Sequence, residues 1–298
     1  MRLISLILLF LLSGTVSAQK VEWYTTTQTS PWVKQKVKPE RVTTGAEIVL
    51  DPTLRLQLIM GIGGCFNEMG WDALNALSAE DREAVLQAIF SKDGACFNYC
   101  RLPMGANDFA LSFYSSADVA GDFNLVNFNI DRDRYILIPY IKAARQINPD
   151  LRIWASPWCP PAWMKTNNHY ASAVRPSGEK DVNGLLPREA ITEFSTGFRM
   201  EEGYLKTYAD YFARFIKAYE AEGLPLECIH VQNEPCSNQV FPSCKWRTED
   251  LTFFLGHYLG PTFERENIKT DIYFGTINTS NPDYVRTALR DEQAAKYI

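Results

Sequence analysis

The sequence predicts an α/β fold built on a parallel sheet, and among such folds a (β/α)8 barrel. Three observations carry this. From about residue 51 onward, strand-like and helix-like runs alternate, which is the pattern of βαβ units. The unusual polar and aromatic residues gather at the C-terminal ends of the strand-like runs, where a barrel places its active site. No G-x-G-x-x-G follows a strand and opens a helix: GIGG at 61–64 lacks the spacing, which disfavours a dinucleotide-binding doubly wound sheet.

The chain has 298 residues, enough for one large domain or two smaller ones. Its hydrophobic content of 46% can bury a substantial core. The formal net charge is −5, and Lys and Arg are spread along the chain. With no basic block, the sequence points away from nucleic acid and from anionic membranes.

Residues 1–18 read as a signal peptide. Arg2 supplies the positive end, LISLILLFLL at 3–12 is apolar but short for a bilayer span, and Val16-Ser17-Ala18 offers a small-residue cleavage site. The mature chain is then expected to start at Gln19, without stable membrane insertion, and to be secreted or periplasmic. Residues 19–50 form a separate β segment: VEWYTTTQTS and TTGAEIVL are Thr-rich and β-branched.

Within 51–298 the elements follow in order. LQLIMGIGG is a first strand that ends in glycines. Ser78 caps a helix that runs to about Phe90, with acids in its first turn. ACFNYCRLPMG is a second strand, RYILIPYIKAARQIN a helix with apolar residues at helical spacing, and LRIWASPW a third strand. A long amphipathic helix covers 204–222 and stops at Gly223 and Pro225. LECIHVQNEP is a fourth strand, 250–259 begins another helix, DIYFGTIN is a fifth strand, and 291–297 forms one more short helix.

There are seven cysteines and three histidines. None has zinc-ribbon spacing, and the histidines are too scattered for a metal site, so no metal or cofactor is implied. Cys96 and Cys100 share a face of the second strand and read as buried thiols. Cys236 and Cys244 flank a loop and are open to either a disulfide or two free thiols.

The chemistry concentrates at strand ends. Strand alternation directs His230, Gln232 and Glu234 one way, and Val231 and Asn233 the other. Pro235 weakens pairing and favours an extended Glu234, a carboxylate at the lip of the sheet. Arg101, in an otherwise apolar strand, calls for an anionic partner. Asp108 lies on the following loop. Trp158 and Trp163 sit in a proline-stiffened loop; such indoles can be core, as Trp163 is expected to be, or form a platform for the apolar face of a sugar ring. Acids for proton transfer, amides and Asp for hydroxyls, and aromatic faces for stacking are what a glycosidase requires.

Six blocks in this order, GIGGCFNEMG, YCRLPMGANDF, DFNLVNFNI, ASPWCPPAWMKTN, VQNEP and LGPTFE, resemble the glucosylceramidase (acid β-glucosidase) group of glycoside hydrolase family thirty. The resemblance implies a retaining β-glycosidase on a (β/α)8 barrel, with the N-terminal strands in a β-sandwich side domain. It further implies Glu234 as acid/base, Asn233 as the amide on the sugar 2-hydroxyl, Asp108 and Trp158 as pocket residues, and Arg101 as orienting the catalytic carboxylates. The implied partner is a β-glycoside such as a β-glucan or glucosylceramide. The loop from Cys236 to Trp246 departs from the mammalian lysosomal members, which leaves the substrate open. The family's nucleophile is a glutamate on strand seven, beyond Ile298. The sequence is therefore expected to be an N-terminal fragment, its barrel cut after about five strands. Glu68 is the only local candidate for that role and reads instead as a supporting residue. The alternative function is a non-catalytic carbohydrate-binding protein.

Overall fold

The computed structural model describes residues 21–38, 45, 51, 53–175 and 183–298. The chain divides into two compact units, 1–57 and 58–298. In the first, β1 (Trp23–Thr25) pairs antiparallel with β2 (Val33–Gln35). VEWYTTTQTS thus supplies one strand, while most of TTGAEIVL and the expected signal peptide lie outside the described residues.

The second unit contains a four-stranded sheet: β3 (Tyr99–Pro103), β4 (Arg152–Ser156), β5 (Cys228–His230) and β6 (Asp271–Tyr273). The spatial order β3-β4-β5-β6 is the sequence order, and every pairing is parallel. Helices α1 (Glu68–Asn75) and α2 (Ala79–Phe90) precede β3. Helices α3 (Asp131–Tyr135) and α4 (Leu137–Ile147) join β3 to β4, and α5 (Glu202–Ala221) joins β4 to β5. The crossover from β5 to β6 is helical from 248 to 265: α6 (Thr248–Phe254), a π-helical turn at Leu255–Leu259, and α7 (Gly260–Arg265).

Side chains alternate across the sheet. Cys100, Leu102, Ile153, Ala155, Ile229 and Ile272 face the helices and are buried. They pack into a core rich in rings from α5, α6 and the segments leading into them, where Phe198 stacks on Trp246 at 4.8 Å and Tyr208 on Phe254 at 5.3 Å. The opposite face carries Tyr99, Arg101, Trp154, His230 and Tyr273, which are half-buried or exposed.

Local signals explain the helix limits. The Ser78 side chain accepts from the Asp81 N–H at 3.0 Å and starts α2. Gly223, at φ +76, ends α5, with the Leu224 N–H returning to the Tyr219 carbonyl at 3.0 Å. The helix expected over RYILIPYIKAARQIN is instead broken at Ile136 (φ −118), because Pro139 cannot accommodate the carbonyl four residues earlier.

Three further expectations are corrected. LQLIMGIGG does not form a regular strand. Only residues 62–66 run beside β3, through Arg101 N–H to Gly64 O and Phe66 N–H to Arg101 O, both 2.9 Å. A Cβ on Gly63 would fall 2.1 Å from the Tyr99 carbonyl oxygen, so the glycine permits this approach. Leu56, Leu58 and Ile59 are exposed. Cys96 precedes β3 at φ +52 and is exposed, whereas Cys100 is buried; all seven cysteines are free thiols, Cys236 and Cys244 included. Residues 291–297 contain only a 3₁₀ turn at Ala294–Lys296. A helix not read from the sequence, α8 (Asp283–Arg290), precedes it. No helix among the described residues is long and apolar enough to cross a membrane.

A buried polar cluster fixes the loop after β3. Asp133 accepts hydrogen bonds from the Tyr114 hydroxyl at 2.9 Å and the Tyr219 hydroxyl at 2.7 Å. Burial nevertheless pushes its carboxyl up to about 6. A folded value above the unfolded one means that this contribution is complete below about pH 4 and lost as pH rises through about 6. Asp133→Asn removes the titration. The Tm difference, variant minus parent, should therefore become more favourable to the variant between pH 4 and pH 7; a difference flat with pH would contradict it.

Candidate active site

The ends of β3, β4, β5 and β6 meet at the guanidinium of Arg101. Its Nε and Nη2 donate to Ser156 Oγ at 3.0 and 2.5 Å. Nη2 also donates to Asn233 Oδ1 at 2.7 Å and to Thr276 Oγ1 at 3.4 Å. The cation lies 3.8 Å from the Trp158 ring centroid and 4.9 Å from that of Trp154. Burial lowers its pKa to about 10, against the pull of nearby Asp108 and Glu234, so it stays charged at neutral pH. Among the described residues it makes no direct ion pair. The anionic partner expected for a buried Arg is replaced by one amide and two hydroxyl oxygens, with the carboxylates acting through space.

Asn233 is buried and doubly held. Its N–H donates to the Pro157 carbonyl at 2.8 Å, and its Oδ1 also accepts from Thr276 Oγ1 at 3.2 Å. Gln232, fully buried, donates to the Trp158 carbonyl at 2.7 Å and accepts from Trp246 Nε1 at 3.3 Å. These contacts join the loops after β4 and β5.

Strand alternation does not continue to Glu234. Regular pairing in β5 stops at His230, and Glu234 has φ +45 rather than the extended conformation expected before Pro235. Its N–H still donates to the Thr276 carbonyl at 3.1 Å, and its carbonyl accepts from the Ser237 N–H at 3.1 Å. A non-glycine residue in the left-handed region, before proline, is a costly conformation held by its surroundings. The half-buried carboxylate accepts from Gln239 Nε2 at 3.1 Å.

Asp108 is exposed on the loop after β3 and close enough for its charge to act on Arg101. Trp158 is 6% exposed. With Arg101 over its ring it forms a floor, not the open stacking face expected. Trp163 is core, its Nε1 donating to the Ala117 carbonyl at 2.8 Å. His230 lies between Trp154 and Tyr273, with ring centroids at 4.4 and 5.0 Å, and burial holds its pKa down to about 4.

Glu68 is occupied elsewhere. At 1% exposure, its two oxygens receive Arg132 Nε at 2.7 Å and Nη2 at 2.6 Å, and Oε2 also receives the Leu111 N–H at 2.8 Å. The contact anchors the loop carrying Asp108. Among the described residues no three His, Cys, Asp or Glu side chains gather in a way that could hold a metal ion.

Sequence reasoning missed Ser156, Thr276 and Gln239. The first two had a signal, since polar residues in ASPW and GTIN stand at strand ends. Gln239 had none.

The parallel sheet thus gathers its polar groups at the C-terminal strand ends, a carboxylate beside an amide with tryptophans beneath them. The family model of the glycosyl hydrolase family 30 TIM-barrel domain matches residues 59–184 and 190–298. The chain belongs to this family. It is 29% identical over 300 residues to putative glucosylceramidase 4 of Caenorhabditis elegans, covering 96% of this chain and 53% of that protein. It is 27% identical over 251 residues to endo-1,6-beta-D-glucanase of Neurospora crassa, covering 83% and 48%. The structure of SrfJ from Salmonella typhimurium superposes with a TM-score of 0.73 at 27% identity, covering 90% of this chain and 56% of that one. The chain thus spans about half the length of the relatives it matches.

Glu68→Gln should leave Arg132 with a neutral partner and cost about 2–3 kcal/mol, less than a fully buried pair because Arg132 is partly exposed. Urea unfolding with an unchanged m-value is the measurement. A loss below about 0.5 kcal/mol, the range of an ordinary surface change, would show that the pair is dispensable.

Proposed function

We propose that the protein is a retaining β-glycosidase in which Glu234 is the acid/base. The single observation that carries this is the pairing of Glu234, held at φ +45, with Asn233, whose amide oxygen is fixed by Arg101. In the first step the Glu234 carboxylic acid gives its proton to the glycosidic oxygen. A second carboxylate attacks the anomeric carbon as the C–O bond breaks. In the second step the Glu234 carboxylate takes a proton from water, which attacks the same carbon and releases the second carboxylate.

The second carboxylate must stand about 5–5.5 Å from the first. Glu68 is unsuited, being committed to Arg132; a glutamate from a later barrel strand, outside these 298 residues, fits the reading. The Asn233 Nδ2 group is directed to a sugar hydroxyl because its Oδ1 is engaged by Arg101 and Thr276. Asp108 accepts from hydroxyls farther round the ring, and Trp158 closes the floor.

The four-stranded sheet with its flanking segment 62–66 is read as part of a (β/α)8 barrel, and residues 19–50 as part of a β-sandwich side domain. Residues 1–18 are read as a signal peptide, giving a secreted or periplasmic protein. The substrate is a β-glucoside, either a glucosylceramide-like lipid or a β-1,6-linked glucan, following the two kinds of relative.

In the full-length gene product, Glu234→Gln should slow hydrolysis of β-glucosides with poor leaving groups by roughly 100-fold or more. The glycosylation step with dinitrophenyl glucosides, whose leaving group hardly needs a proton, should lose far less. Pre-steady-state kinetics on both substrates decide it: equal losses in that step would falsify the assignment.

A further inference from the structure

Glu234 ends a short chain of contacts that reaches a fully buried lysine. Its backbone is fixed on both sides, but among the described residues its carboxylate receives one hydrogen bond, from Gln239 Nε2 to Oε2 at 3.1 Å. Gln239 is held along its own backbone. Its N–H donates to Ser243 Oγ at 3.2 Å, and its carbonyl accepts from the N–H groups of Ser172 at 3.0 Å and Ala173 at 2.9 Å. The loop after β5 is thus fastened to the loop after β4 at this residue.

Beneath the fastening lies Lys165, with 0% exposure. Its Nζ donates to the Ser243 carbonyl at 2.6 Å, the Tyr170 carbonyl at 3.0 Å, and the Ala171 carbonyl and Ser172 Oγ at 3.2 Å. A buried ammonium served by neutral oxygens is an expensive way to hold two loops. It yields a rigid platform, and the side chain that this platform presents to Glu234 is Gln239.

We propose that Gln239 is a positioning residue for the acid/base: its amide orients the Glu234 carboxylate and decides which oxygen carries the transferred proton. This rests on the reading of Glu234 given above. An amide N–H can donate but cannot take up a proton at working pH. Oε2 therefore remains an acceptor through both steps, and the proton given to the leaving oxygen and later taken from water resides on Oε1. A titratable neighbour could not do this reliably, because its own charge would change within the working range.

The test uses the full-length gene product with Gln239→Leu and Gln239→Glu, and pH profiles of kcat and kcat/KM on an alkyl β-glucoside and a dinitrophenyl β-glucoside. For Gln239→Leu the hydrogen bond to Glu234 is lost and the carboxylate is free to turn. Its kcat should fall roughly 10-fold through misorientation, with KM within about twofold and the dinitrophenyl substrate spared in the glycosylation step. For Gln239→Glu the basic limb of kcat/KM on the alkyl glucoside should move up, because a second carboxylate disfavours ionisation of the first. An unchanged kcat in Gln239→Leu or an unmoved limb in Gln239→Glu overturns the proposal, as does a raised KM with unchanged kcat, which would make Gln239 a sugar-binding group. If instead Glu234→Gln leaves alkyl glucoside hydrolysis intact, the assignment of Glu234 fails, independently of what the Gln239 variants do.

Discussion

The site is organised by one guanidinium. Arg101 stands near the end of β3, yet its donors reach Ser156 at the end of β4, Asn233 beyond β5 and Thr276 beyond β6. A parallel sheet brings successive strand ends to the same edge, but hydrogen bonds between strands do not set the direction of the loops that leave it. Arg101 does so with rigid planar geometry, backed by the Trp154 and Trp158 rings. Lysine could supply the charge but not the fork that spans Ser156 and Asn233.

The placement of the carboxylate follows from the same constraint. Asn233 is pulled toward Arg101, and Thr276 pairs with Gln232 and Glu234 through its backbone. Gly275 allows this approach: a Cβ there would sit 3.0 Å from the Gln232 carbonyl oxygen, at a φ of +157. The chain then has to turn sharply, and Glu234 takes a positive φ before Pro235. The strain is tolerated because both peptide groups of the residue are hydrogen-bonded and Pro235 is anchored by the Trp246 N–H at 2.8 Å.

Two buried charges support the surrounding loops in different ways. The Glu68–Arg132 pair is bidentate and holds the Asp108 loop, with Tyr114 beneath the guanidinium at 4.0 Å. Among the described residues Lys165 has no comparable carboxylate and relies on backbone carbonyls and a serine hydroxyl.

The sequence by itself determined the parallel α/β order, the cores of β3 to β6, the start of α2 and the end of α5. These depend on local periodicity, caps and glycines. It also singled out Glu234, Asn233, Arg101, Asp108 and Trp158, because polar and aromatic residues at strand ends are conspicuous in apolar surroundings, and ordered blocks tied them to a family. Only the tertiary structure decided how these residues are oriented. Alternation and Pro235 argued for an extended Glu234, but long-range hydrogen bonds to Thr276 and the loop after β4 overrode both. The broken first strand, the choice between a disulfide and free thiols at Cys236 and Cys244, and the exposed Cys96 were equally beyond local reading, since each depends on which chain segment lies alongside. Gln239 is the clearest case: an amide in a polar loop carries no signal until the fold brings it 3.1 Å from a carboxylate.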